Sequence, residues 1–91
     1  MNAEGWIAAY AQKLGVAAPS PEEVAQLLAV AGIAAHSSER QAAPVSCWVA
    51  ATAGVSTERA LRAARALERE EQQREEQQPD EQRREEPQGG G

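Results

Sequence analysis

With 91 residues, 3% aromatics and no Phe, the chain has room for one small domain and little bulky material to fill it. Twenty of its 38 hydrophobic residues are Ala, which favours helix and close helix approach over large buried volume. A barrel enzyme, a two-domain enzyme or a large internal active site is excluded. The net charge of −5 is unevenly spread: residues 1–67 carry five acids and five bases, and residues 68–91 carry nine acids and four arginines. The acidity therefore belongs to the C-terminal segment and says nothing about what the body binds.

Asn2 is placed to cap a first helix that carries Trp6, Ile7, Tyr10 and Leu14 on one face, with Gly15 where a left-handed C-terminal residue belongs. Ser20-Pro21-Glu22-Glu23 is a capping box with Pro at the first helical position, so a second helix begins there. From Val24 to Ala35 only Gln26 is strongly polar, which predicts the central and most buried helix, with Gly32 and the alanines admitting close neighbours. His36 to Ala43 is a polar connection. Pro44 opens a third helix over Val45 to Ala53, closed by Gly54, and Ser56 caps a fourth. In that fourth helix Leu61, Ala64 and Leu67 form a thin apolar stripe, while Arg59, Arg62, Arg65 and Arg69 recur on another side. No alternating β-branched run competes, so the expected fold is all-α: a compact bundle of four short helices with a charged C-terminal extension.

The body is assigned to residues 1–67. Residues 68–91, EREEQQREEQQPDEQRREEPQGGG, contain no apolar side chain and repeat the pentad REEQQ from Arg69 and from Arg74. With nothing to bury, this segment is expected to extend the fourth helix as a solvated rod, supported by a Glu70–Arg74 pair, until Pro79, with disorder beyond.

One Cys and one His provide no multi-ligand metal site and no internal disulfide, so no metal or cofactor is indicated and a reducing cytoplasm is expected. Met1 to Gly15 show no basic leader followed by an apolar core, and no run is long enough to span a bilayer, so no membrane association is expected. Cys47 and the two tryptophans, Trp6 and Trp48, read as core residues, and Tyr10 as half-buried.

Three strings carry a family resemblance: WIAAYAQKLGV from Trp6, SPEEVAQLLAVAGIAAH from Ser20, and AHSSERQAAPVSCWVAATAGVS from Ala35 to Ser56. Together they resemble a family of small actinobacterial helical domains of unknown function, found alone or joined to molybdenum-cofactor guanylyltransferases. The resemblance covers Trp6 to about Leu67, and its most specific part is His-x-x-Glu-Arg-x-Ala-Ala-Pro, His36 to Pro44. This chain departs from it in having Gln41 in place of Pro and Ser46-Cys47-Trp48 in place of Thr-Thr-Phe. The resemblance implies a molybdenum-cofactor context and no catalytic residue.

Two functional readings follow. In the first, the chain is a non-catalytic binding or accessory module, not an enzyme, whose protein partner is engaged by His36, Glu39 and Arg40 on the polar connection. Structural roles compete for these residues: His36 could satisfy helix-terminal carbonyls, and Arg40 could pair with Glu39. In the alternative, Gly54-Val55-Ser56 is the turn of a helix-turn-helix and Arg59 and Arg62 contact DNA. The neutral body and the acidic extension argue against nucleic acid, because most DNA affinity comes from neutralising phosphates.

Overall fold

The computed structural model describes residues 1–77, which form four helices and, among those residues, no strand: α1 (Ala3–Leu14), α2 (Pro21–Ser37), α3 (Ala42–Ala53) and α4 (Thr57–Gln77). The all-α reading holds, and the expected stop at Pro79 with disorder beyond lies outside the described residues.

Local chemistry accounts for most helix ends. The Asn2 carboxamide accepts the Gly5 N–H at 2.8 Å, and Gly15, at φ 74°, closes α1 while the Val16 N–H bonds back to Ala11 at 3.0 Å. At α2 the capping box is complete: the Ser20 hydroxyl accepts from the Glu23 N–H at 3.1 Å, and the Glu23 carboxylate accepts from the Ser20 N–H at 2.8 Å. Ser38, not His36, closes α2, its hydroxyl and N–H both donating to the Ala34 carbonyl at 2.8 and 3.1 Å. Helix α3 begins at Ala42, three residues before the expected Val45. The Ala42 and Ala43 N–H groups donate to Glu39 and Arg40 and wind the first turn, and Pro44, having no N–H, leaves no donor orphaned inside it. Gly54, at φ 73°, ends α3, and the Ser56 hydroxyl accepts from the Arg59 N–H at 3.1 Å to start α4. On α4, Arg62 pairs with Glu58 at 3.4 Å, and Arg74 pairs with Glu71 at 3.0 Å instead of the expected Glu70. Both partners lie on the turn preceding Arg74, so either spacing satisfies it.

Helix α2 is the hub, packed by both α3 and α4, whereas α1 meets the rest of the chain only at its margin. Cys47 of α3 is half-buried with Sγ 4.0 Å from the Leu27 carbonyl, and the Thr57 hydroxyl is hydrogen-bonded to the Gln26 side chain, so α4 starts beside the N-terminal third of α2. From there α4 runs in the direction of α2, and α3 runs against both.

Among the described residues the buried positions are Ala11, Val30 and Ala60, and no large side chain is fully enclosed. The tryptophans correct the expectation of a Trp-anchored core: Trp6 is 56% and Trp48 67% exposed. The reason for Trp48 is geometric, since its neighbours Ser46 and Cys47 occupy the partly buried side of α3 and turn the indole outward. Trp6 is exposed because α1 lacks a packed neighbour on that side.

Gly32 also departs from expectation, for a Cβ built on it meets nothing within 4 Å. It therefore carries the helix-interior cost of glycine without enabling a close approach. Gly32→Ala is expected to stabilise the fold by about 0.5–1 kcal/mol. A thermal melt checks this, and an unchanged or lower midpoint would mean that a neighbour does approach there.

Candidate functional site

The absence of large buried side chains has a consequence between the helices. Val30, Ile33 and Ala34 of α2 form the floor of an open groove whose walls are Val49, Ala50 and Ala53 of α3 and Ala60, Ala64 and Leu67 of α4. Its volume is about 780 Å³. Alanine brings the α-helical backbones together but leaves no bulk to fill the space above α2, so the three helices frame a trough where larger residues would have closed a core.

The groove has a direction. Val55 and Arg59 line one end, and Ser37, Ser38, Glu68 and Glu71 line the other. From Arg59 to Glu71 the α4 wall rises about 18 Å at about 1.5 Å per residue, long enough for three turns of helix.

None of His36, Glu39 and Arg40 lines this trough; they adjoin its lining only in sequence. All three are exposed, and they alternate in sequence with Ser37, Ser38 and Ala42, which belong to the lining. Arg59 and Arg62 are separated in role: Arg59 lines the groove, whereas Arg62 is held by Glu58 on the exposed surface. The Gly54-Val55-Ser56 turn combines an ordinary left-handed C-cap with an ordinary N-cap.

A second apolar surface lies on α1. Trp6 and Tyr10, one turn apart, stack with ring centroids 5.0 Å apart and planes inclined by 23°, beside Lys13. Leu14 continues that row and is 61% exposed. The 6, 10, 14 spacing is visible as a helical face, but it does not announce that the face stays exposed among the described residues. The groove left a fainter signal: Ala60, Ala63 and Ala64 are small residues around the Leu61–Leu67 stripe, which reads as close packing until the neighbouring helices are placed.

Among the described residues no group of three His, Cys, Asp or Glu side chains is arranged to hold a metal ion, and no helix is long and apolar enough to cross a membrane. No buried side-chain nitrogen or oxygen there lacks a hydrogen-bond partner. The site is thus a surface of shape and apolar contact, bordered by a few charges.

A family model described as a domain of unknown function, DUF6457, matches residues 1–82. The chain belongs to this family. The match runs from before α1 to beyond the end of α4, so it takes in both the groove and the apolar face of α1. Comparison with curated proteins and comparison with solved structures each returned no match.

Proposed function

We propose that this protein is a non-catalytic binding module that receives an amphipathic helix in the groove between α2, α3 and α4. The observation that carries this reading is the open trough itself: apolar along its floor and both walls, about three helical turns long and charged at its ends. Recognition of this kind lays the apolar anchors of a helix into a hydrophobic groove and leaves orientation to charges at its ends. His36, Glu39 and Arg40 then supply polar contacts where the partner leaves the groove.

In its finer form, the proposal places the protein in the cytoplasm of an actinobacterium, acting in molybdenum-cofactor metabolism with a nucleotidyltransferase or molybdoenzyme as partner. The resemblance of the His36 to Pro44 string supports this context.

The test is binding of purified molybdenum-cofactor guanylyltransferase to the full chain, wild type beside Ala64→Arg, His36→Ala and Arg40→Ala. Ala64 is a half-buried part of the groove wall, so Ala64→Arg fills the trough, and far-UV circular dichroism checks that the variant keeps its fold. It is expected to weaken binding by at least about tenfold, and Arg40→Ala to weaken it with less than about 1 kcal/mol change in stability. Binding untouched by Ala64→Arg would remove the groove, and binding untouched by both Arg40→Ala and His36→Ala would remove the loop. Salt-dependent binding of duplex DNA that is lost in Arg62→Ala would replace this reading with the helix-turn-helix one.

A further inference from the structure

The side of α4 that lines the groove changes character along its length. Ala60 and Ala64 stand on it, and after Leu67 the same side continues as Glu68, Glu71 and Glu75, at the three- and four-residue spacings that keep side chains on one helix face. Helix α4 starts beside Gln26, eleven residues before α2 ends at Ser37, and Ser37 and Ser38 share the groove lining with Glu68 and Glu71. Residues 69–77 of α4 therefore project about 14 Å beyond the end of α2. At that end the apolar trough opens onto a helix surface whose residues 68–77 hold five acids against two arginines.

These carboxylates differ from an ordinary solvated face. Glu68 and Glu71 are half-buried at the mouth of an apolar groove, where a charge is costlier than in open water. Like charges three, four and seven residues apart on one side also repel along the helix. Arg74 pairs with Glu71, but among the described residues no cation pairs with Glu68 or Glu75. Gln at these positions would keep the helix without the repulsion, so a cation from outside has a ready place there.

We propose that the occupant of the groove is an amphipathic helix of another protein that carries a basic cluster at one end, its apolar anchors in the trough and its cations on Glu68, Glu71 and Glu75. This rests on the reading of the groove as a helix site and adds the chemistry of what fills it. The walls are mostly alanine, so the bulk must come from the occupant, as large apolar side chains recurring every three or four residues. The charge of the occupant follows from the two ends. Glu68 and Glu71 attract a base and reject an acid, whereas Arg59 at the opposite end does the reverse, so a helix basic at one end only fits better than one basic throughout. Helix α1 of this chain does not meet that description, since Glu4 and Lys13 are its only charged side chains.

The probes are fluorescein-labelled synthetic helices of about four turns with leucines along one face and a lysine cluster either before or after the helix, each beside a counterpart with glutamates in place of the lysines. Fluorescence anisotropy with the full chain is expected to show the better lysine probe binding at least about tenfold tighter than its counterpart at low salt, with a smaller ratio at high salt. Glu68→Gln, Glu71→Gln and Glu75→Gln combined should bring the two to within about twofold, because the charge goes while shape and helix propensity stay. Ala64→Arg, its fold checked by far-UV circular dichroism, should weaken the lysine probe by at least about tenfold, and so should replacing the probe's leucines by serines. A serine probe that binds as tightly as the leucine one overturns the proposal, since the contact would then be charge alone. So does a preference for lysine that survives the three Gln substitutions. Lysine and glutamate probes that bind equally, and are both lost in Ala64→Arg, would sink the basic occupant and leave the groove reading standing. No binding of any probe at about 100 µM, or binding indifferent to Ala64→Arg, would sink both.

Discussion

Val30→Asp is expected to unfold the protein at 25 °C. Val30 is 4% exposed at the middle of α2, the helix on which both α3 and α4 pack, and it forms part of the groove floor. A carboxylate there would be buried among apolar neighbours, and taking a charge out of water at such a position costs several kcal/mol. A domain this small whose buried residues are two alanines and one valine has a stability of only about 3–5 kcal/mol to lose. Far-UV circular dichroism should show the loss of helix directly. Val30→Ala, which removes two methyl groups and adds no charge, should cost about 1–3 kcal/mol and leave a folded protein with a lower melting midpoint. Wild-type melting of Val30→Asp would show that α2 does not hold the other helices together.

Gly54→Val is expected to lower the melting temperature by roughly 5–15 °C, for a cost of about 1–3 kcal/mol. Gly54 has φ 73°, and a Cβ built there meets nothing within 4 Å, so the penalty is a backbone one and not a clash with neighbours. A β-branched residue is among the worst suited to that left-handed conformation. Relaxing the strain would displace α4, because only Gly54, Val55 and Ser56 separate it from α3, and its first turn is held by the Ser56 cap and by the Thr57 bond to Gln26. Thermal melts of a series should rank Gly above Asn, Asn above Ala and Ala above Val, since Asn tolerates positive φ and Ala lacks the branch. Equal midpoints for Val and Gly would show that the α3–α4 connection is loose enough to change conformation freely.

The two variants act at different levels, and the contrast explains what could be read in advance. Gly54, like Gly15, Asn2 and the Ser20–Glu23 box, is a local device: its partners lie within four residues, so its meaning is present in the string of letters. The helix ends that rest on such devices were legible. The start of α3 was less so, because the turn through Glu39 and Arg40 uses backbone carbonyls that any residue supplies, and the eye is drawn instead to Pro44. For His36 the sequence leaves a capping role open beside the binding one, and Ser38 performs the capping, since both residues stand at the same helix end and only the backbone path decides between them.

Four helices, their approximate limits and the apolar rows on α1 and α4 were determined by the sequence alone, because caps, proline and 3.6-residue periodicity act over one or two turns. Tertiary structure alone decided which rows are covered. Trp6 and Trp48 are the largest apolar side chains here, yet both are exposed, because burial needs a neighbour at the right distance and azimuth and the alanine-rich helices provide neither. The same shortage of bulk turns what reads as a thin core stripe on α4 into the wall of an open groove, with Arg59 at one end and Glu68 at the other. Whether small residues let helices close completely or leave a trough depends on how three helix axes are placed, and no spacing within one helix encodes that placement.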